Sequence, residues 1–233
     1  MTVGAFVLSG SGPGDTDASL RSVRAQLPQP DDVRHTHGRD LAHAAGLALE
    51  HAAASGYAWT WLVEAGVQLQ GAGALAALIE GARRSGAEVA ASVVRRPDGG
   101  LSRYDLPIGD RLAGPEVITL GEAALLPVRS VTFASVLVRT TLAAGHAPPA
   151  VRYGDHQGDR AWTAGLMRES PGCLVTASEA LRPWQSVSRL SAAADLRSRV
   201  RLMADSAALP AAERIRGLTW VRRDLGGGRP PLT

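Results

Sequence analysis

The amino-acid sequence predicts an α/β protein whose mainly parallel sheet is flanked by helices. Short apolar runs rich in β-branched and aromatic residues alternate with longer segments whose apolar residues recur at helical spacing. Glycine and proline clusters separate these segments, as is typical of the loops of layered folds. The chain has 233 residues, 45% of them hydrophobic, so it is long enough and apolar enough to build a substantial core.

The bounds of the predicted elements follow from hydrophobic periodicity and from capping residues. Strands are predicted over residues 3–8, 58–63, 89–94, 131–138 and 174–177, with candidate short strands at 101–105 and 116–120. Helices are predicted from Asp15 or Thr16 to about Gln26, from Asp40 to Ala54, from Ala72 to Ser85, and from Gly158 or Asp159 to Met167. We predict one domain over 1–186, a helical extension over 187–225 with helices near 187–203 and 210–222, and a flexible tail over 226–233.

The segment between the first two helices is short. Pro28 and Pro30 end the first helix, and few residues then remain before the helix that begins at Asp40. Asp31–Arg34 is at best a stunted strand, and we predict that residues 31–37 do not complete a second strand.

Composition and charge exclude several classes of protein. All 25 basic residues are arginine, which we attribute to the coding bias of a GC-rich genome, and the net charge is only +3. The arginines are scattered, so we expect no nucleic-acid binding. Arg197, Arg199 and Arg201 lie close together and allow at most peripheral contact with a membrane surface. A first strand in place of a signal peptide, and the single Cys173, lead us to expect a cytoplasmic protein without disulfides.

The segment Trp59–Gln68 is the most informative of the chain. Its apolar run ends abruptly at Glu64 and is followed by Gly66, so the strand delivers one carboxylate to the carboxyl end of the sheet. Open α/β folds bind their ligands at that edge. A carboxylate there can hold a divalent cation, which can in turn hold a diphosphate. The alternative is a glutamate paired with an arginine, for which Arg39 is a candidate.

Six segments in series resemble the family 2 glycosyltransferases over about residues 3–184. The segments are SLRSVRAQ (Ser19–Gln26), GRDLAHAAGLAL (Gly38–Leu49), WTWLVEAGVQLQGAGALAALIEGA (Trp59–Ala82), AASVVRRPDGGL (Ala90–Leu101), VTFASVLVRTTLAAG (Val131–Gly145) and GDHQGDRAWTAGL (Gly154–Leu166). The resemblance implies a GT-A fold, which is a Rossmann-like mixed, mainly parallel sheet flanked by helices, here followed by C-terminal helices. It also implies inverting transfer of a sugar from a nucleoside-diphosphate sugar to a hydroxyl acceptor.

The resemblance also implies roles for individual residues. Asp159, with Trp162 three positions later, matches the acid-x-x-Trp arrangement of the catalytic base, and Asp155 is the second candidate; a helix cap and a solvated loop acid are the alternatives. Glu64 would hold Mg²⁺ or Mn²⁺. The residues implied in cofactor and donor binding are Ser9, Gly10, Arg39, Asp40, Glu64 and Gly66. A plain turn after the first strand and a salt bridge at the start of the second helix explain most of these equally well.

The chain departs from the family pattern at four places. One acid, Glu64, stands where the family has an acidic triplet, and the second strand is shortened. The paired acids at the catalytic helix become a looser set, Asp155, His156 and Asp159, and the stretch Ala180–Trp184 lacks a histidine often found there. The alternative function is therefore a catalytically degenerate GT-A domain that binds a ligand or a protein partner, including a second copy of itself. A third alternative is a related nucleotidyl- or sugar-nucleotide-handling enzyme on a similar sheet. An open donor pocket and weak nucleotide affinity would follow from the short second strand. His35, His37 and His43 have metal-ligand spacing, but exposed loop histidines are the favoured interpretation.

Overall fold

The computed structural model describes residues 1–10, 14–102, 125–146, 148 and 158–183. Several predictions lie outside these residues: Asp155, the candidate strand at 116–120, most of that at 101–105, and both C-terminal helices. Within the described residues, Leu101 forms an isolated antiparallel bridge with Arg95. No helix among the described residues is long and apolar enough to cross a membrane.

Strands and helices alternate along most of the described chain. The strands are β1 (Val3–Ser9), β2 (Asp32–His37), β3 (Trp59–Glu64), β4 (Gln68–Leu69), β5 (Val89–Arg95), β6 (Leu125–Val128), β7 (Ser135–Arg139) and β8 (Gly172–Leu181). The helices are α1 (Thr16–Arg24), α2 (Leu41–Ala54), α3 (Ala74–Ser85), α4 (Thr140–Ala144) and α5 (Gly158–Leu166). The predicted elements inside the described residues therefore form, with bounds shifted by a few residues except in β8.

The strands form one mixed sheet in the order β2-β1-β3-β7-β5-β8-β4, with β6 also paired to β8. β1, β2, β3, β5 and β8 run in one direction, whereas β7, β4 and β6 run against their neighbours. The mainly parallel α/β sheet predicted from the sequence is confirmed. The carboxyl ends of the five co-directional strands lie at one edge, and β7 begins at that edge. We call this edge the carboxyl rim.

The prediction that residues 31–37 fall short of a strand is wrong. β2 has six residues and pairs in parallel with β1 along its whole length, from Gly4 opposite Asp32 to Ser9 opposite His37. The connection can be short because Asp31 joins the sheet directly: its side chain accepts a hydrogen bond from the Val3 N–H at 2.7 Å. The prediction of an open donor pocket depended on a missing second strand, and β2 is present.

The strand predicted over 131–138 begins later, at Ser135. The preceding residues form a turn because their backbone N–H and carbonyl groups form hydrogen bonds with side chains of α5 instead of with a neighbouring strand. Thr163 Oγ1 accepts from the Val131 N–H at 3.0 Å and donates to the Val131 carbonyl at 2.8 Å. β8 is longer than predicted because it pairs with β5 on one side and with both β4 and β6 on the other.

Two apolar layers cover the faces of the sheet. Alternate residues of β3 divide between them: Trp61 and Val63 pack in one layer, and Leu62 in the other. Alternation of this kind is expected for a strand that is buried on both faces. Helix α2 packs closely because its buried residues are mostly alanine. Cys173 is buried in the first layer, as a small apolar residue would be.

Candidate active site at the carboxyl rim

Three neighbouring strands bring polar side chains to the carboxyl rim. Ser9 lies opposite His37 on β2, and the adjacent Leu8 lies opposite Glu64 on β3. The Ala65 N–H donates to the Leu8 carbonyl at 2.7 Å, which holds the end of β3 against β1. Residues that are far apart in sequence therefore meet at the edge where open α/β folds bind ligands.

Glu64 forms an ion pair with Arg182, which directly follows β8. Arg182 Nη2 donates to Glu64 Oε2 at 2.5 Å, and the side chains are only 7% and 14% exposed, respectively. The Arg182 N–H also donates to the Arg95 carbonyl at 2.8 Å, which fixes the arginine at the end of β5. The interpretation of Glu64 as a paired strand-end glutamate was correct in kind, but its partner is Arg182 and not Arg39.

A tight turn follows Glu64. The Val67 N–H donates to the Glu64 carbonyl at 3.0 Å, and Gly66 has φ +89°, a conformation that favours glycine at this position of a turn. The Gly66 N–H donates to Ser19 Oγ at 2.6 Å, and Ser19 Oγ donates to the Val67 carbonyl at 2.7 Å. In this arrangement Gly66 shapes the turn that ends β3; its role in donor binding stays a prediction.

Asp159 lies in the first turn of α5 and is 8% exposed. Its Oδ2 accepts from the Phe133 N–H at 3.1 Å, and its Oδ1 accepts from the Arg160 N–H at 2.7 Å. Burial raises the pKa of this carboxyl to about 7, although the Arg160 charge and both hydrogen bonds favour ionisation. A carboxyl that titrates near neutral pH suits a general base, because it both accepts and releases a proton under working conditions.

The residues around Asp159 hold the start of α5 in place. Trp162 packs edge-on against Phe133, with ring centroids 5.5 Å apart. Its indole N–H donates to the His146 carbonyl at 2.6 Å. Together with the two hydrogen bonds of Thr163 to Val131, these contacts fix α5 against the turn before β7. The orientation of the Asp159 carboxyl is therefore set by packing on both sides.

Glu64 and Asp159 meet at Phe133. The Glu64 N–H donates to the Phe133 carbonyl at 2.9 Å, while Asp159 Oδ2 accepts from the N–H of the same residue. Standard backbone dimensions then place the Asp159 carboxyl within roughly 10 Å of the Glu64 backbone nitrogen. The Glu64 charge also helps to raise the Asp159 pKa, so the two carboxyls interact electrostatically. The two acids therefore lie near each other at the carboxyl rim, and their use in one site stays a prediction.

The predicted donor-side residues also lie together. Ser9 Oγ forms hydrogen bonds with His35 Nε2 at 2.7 Å and His37 Nδ1 at 3.0 Å. The next residue, Gly10, approaches α2 so closely that an added Cβ would lie 3.1 Å from the Asp40 backbone. The side chain of Asp40 caps α2 by accepting the His43 N–H at 2.7 Å, and it lies 3.6 Å from Arg39 Nε. The salt bridge at the start of α2 is therefore present, and contact with a donor stays a prediction.

The described residues form no cluster that could hold a divalent metal by itself. Within them, no group of three or more His, Cys, Asp or Glu side chains is close enough to share an ion. A single carboxylate supplies at most two of the six ligands of Mg²⁺, so diphosphate oxygens and water would have to fill the remaining positions at Glu64. The Glu64 carboxylate is also already neutralised by Arg182. The histidines at 35, 37 and 43 do not form a metal group in this part of the chain either.

No protein-family model and no curated protein matches the sequence. Solved structures share the fold at low identity. Staphylococcus aureus TarS 1–349 in complex with UDP-GlcNAc has a TM-score of 0.62 at 10% identity, covering 96% of this chain and 72% of that one. GalNAc-T7 with UDP, GalNAc and Mn²⁺ has a TM-score of 0.59 at 11% identity, covering 97% of this chain and 54% of that one. A197 from STIV has a TM-score of 0.55 at 11% identity, covering 80% and 87%.

These likenesses show a GT-A-like fold, as predicted from the sequence. The chain spans only 54% of the GalNAc-T7 chain and 44% of a longer TarS structure. At these identities the similarity extends to the arrangement of strands and helices. What the chain binds has to be argued from its own side chains.

Sequence reasoning missed two residues that organise the site. Arg182 follows the last strand, 118 positions after Glu64, and only the sheet order brings the two together. The sequence predicts Phe133 inside a strand, whereas in the structure its backbone lies in a turn and binds both Glu64 and Asp159. The departure at Ala180–Trp184, where a family histidine is absent, was the signal that marked the position of Arg182.

Proposed function

We propose that this protein is a glycosyltransferase that transfers a sugar with inversion from a nucleoside-diphosphate sugar to a hydroxyl acceptor. The observation that carries the proposal is the buried Asp159 carboxyl, with a pKa of about 7, at the same rim as Glu64 and the end of β1. The fold shared with TarS bound to UDP-GlcNAc and with GalNAc-T7 bound to UDP supports this class of donor.

In the proposed reaction, Asp159 removes the proton of the acceptor hydroxyl as the oxygen attacks the anomeric carbon of the donor. The carbon–oxygen bond to the diphosphate breaks at the same time, and its electron pair leaves with the nucleoside diphosphate. The proton remains on Asp159 until it is lost to solvent. Attack from the face opposite the leaving group inverts the anomeric configuration, and a single base on that face is sufficient.

The positions around β1 and β2 are proposed to hold the nucleoside. Ser9, His35 and His37 form an exposed hydrogen-bonded group at the rim. Gly10 lets the loop after β1 approach the start of α2. Nucleosides offer hydroxyl and ring acceptor groups that such side chains bind, and the small residue leaves room for the backbone to contact them.

Isothermal titration calorimetry with a panel of nucleoside diphosphates and diphospho-sugars tests the proposal. We expect one-site binding of at least one diphosphate and its sugar derivative, with a Kd in the micromolar range, about −8 kcal/mol. Asp159→Asn should retain this binding and lose turnover of the donor. Failure of the whole panel to bind would contradict the proposed function.

The Glu64–Arg182 ion pair favours a second candidate function. The carboxylate of Glu64 at the end of β3 is neutralised internally, and a domain without catalysis could retain such a pair. Such a domain would bind a partner protein or a second copy of itself. Donor binding without any turnover, under conditions in which Asp159 is ionised, would support this second function over the first.

A further inference from the structure

The guanidinium of Arg182 places a positive charge near the middle of the carboxyl rim, next to Glu64. It follows β8, its backbone is bound to β5, and its guanidinium reaches across to Glu64 at the end of β3. β7 separates β3 from β5 in the sheet, and the turn before β7 holds Phe133, which contacts Glu64 and Asp159. The arginine thus spans the part of the rim between the proposed donor side and the proposed base.

This placement is incompatible with a metal on Glu64. A divalent cation bound to that carboxylate would lie within a few ångströms of a guanidinium, which does not lose its proton in proteins. Both charges would be largely shielded from water, where like charges repel more strongly than at the surface. Within the described residues, no group of three or more His, Cys, Asp or Glu side chains lies there to offset the repulsion.

The guanidinium is itself suited to a diphosphate. It is planar and permanently charged, and it presents five N–H donors in a geometry that matches phosphate oxygens. Its burial at 7% exposure lowers the local dielectric constant, so a short contact with a phosphate oxygen is stronger than at an open surface. Glu64 holds the guanidinium in one orientation before a ligand arrives, which reduces the entropy cost of binding.

We infer that Arg182, and not a divalent metal, provides the positive charge that binds the diphosphate of the donor at the carboxyl rim. Glu64 then acts as a positioning residue for Arg182. The inference rests on the proposed function, since it needs a diphosphate ligand at this rim. It goes further by predicting that binding is independent of Mg²⁺ and Mn²⁺.

The test is calorimetric titration of the full chain with UDP and GDP, once with EDTA and once with excess Mn²⁺. The two conditions should give the same affinity within about twofold. Arg182→Lys should weaken binding severalfold, because the ammonium retains the charge but not the planar fork. Because Arg182→Met alone removes the guanidinium from a buried carboxylate, the double variant Glu64→Gln/Arg182→Met is the main probe. It should lower affinity at least about tenfold, which is the loss expected for one charged hydrogen bond.

Arg139→Met is the matched control. Arg139 also lies near a glutamate, with its Nε 3.6 Å from Glu88, but it ends β7 and therefore lies at the opposite edge of the sheet. Its removal should leave nucleotide affinity unchanged.

Each remaining outcome separates the inference from the proposed function. Binding that requires Mn²⁺ would overturn the inference and leave the proposed function in place. Binding that is indifferent to EDTA and equally strong in the double variant would overturn the role of Arg182. Absence of binding to both nucleotides in both conditions, in a folded wild-type protein, would overturn the proposed function together with the inference.

Discussion

Replacement of Asp159 by asparagine should remove a pH dependence of stability that the fold imposes. The native carboxyl has a pKa of about 7, raised by burial, whereas the unfolded chain has the ordinary value of 3.8. Between these values the native state binds the proton more tightly than the unfolded state does. The free energy of unfolding contributed by this group is therefore highest at low pH and falls as pH rises toward 7, after which it changes little.

The magnitude follows from the pKa difference. From pH 5 to about pH 7, the carboxyl is ionised in the unfolded chain but mostly protonated in the native protein. Over these roughly two pH units, each unit of pH lowers the stability of the wild type. At about 1.4 kcal/mol per unit, wild-type stability should fall by about 2.5 kcal/mol relative to Asp159→Asn over this range. Asp159→Asn should also lower the free energy of unfolding by a constant amount of about 1–3 kcal/mol. The reason is that the asparagine NH₂ group would face one of the two backbone N–H groups that donate to the Asp159 carboxylate.

Urea denaturation followed by tryptophan fluorescence at pH 5, 6, 7 and 8, at fixed ionic strength, measures this difference. All other residues are the same in the two proteins, so the difference between them isolates position 159. Asp17→Asn is the control, because it makes the same substitution at an exposed position of α1 instead of a buried one. A wild-type minus Asp159→Asn difference that stays constant within about 0.5 kcal/mol would refute the burial argument.

Three further predictions concern the elements around the site. Arg182→Met should destabilise the protein by about 3–5 kcal/mol in urea melts and Glu64→Gln/Arg182→Met by clearly less; equal losses would contradict a coupled buried pair. Gly38→Ala should lower the melting temperature, because its Cβ would lie 2.5 Å from a backbone nitrogen of α2. Gly46→Ala should raise the melting temperature, because the nearest contact of its Cβ is 4.0 Å away and alanine favours a helix. Similar shifts in both variants would contradict the close approach of Gly38 to α2. Trp162→Phe should cost about 1 kcal/mol by urea denaturation, since it retains the ring and loses the indole hydrogen bond, and an unchanged midpoint would argue against that bond.

The sequence predicted the parts of the site that depend on local pattern. A short apolar run that stops at Glu64 indicates a buried strand ending at the rim, and this is where β3 ends. An acid at the start of an amphipathic segment, followed by Trp162, likewise indicates a helix that begins at Gly158 or Asp159, and α5 begins at Gly158. Periodicity and capping are properties of neighbouring residues, so they can be recognised without the fold.

The parts that depend on sheet order were beyond the sequence. Arg182 lies in the stretch Ala180–Trp184, which the sequence marks only as a departure from the family, because no local pattern connects this arginine to Glu64. β2 was misjudged because its length was counted from the prolines, whereas Asp31 bonds directly to the first strand and shortens the connection. The turn containing Phe133 reads as a continuous strand, since its apolar residues alternate normally and the bonds that bend it come from α5.

The central claim is that this rim catalyses inverting sugar transfer with Asp159 as base. Proton NMR of the donor identified by calorimetry, incubated with the protein at pH 8, tests it by following the anomeric signals when water or an added alcohol is the acceptor. The account predicts loss of the donor signal in wild type with an initial product of opposite anomeric configuration, a rate that rises with pH through about 7, and no turnover in Asp159→Asn at unchanged donor affinity. A product that retains the donor configuration, or equal turnover in Asp159→Asn, would contradict it.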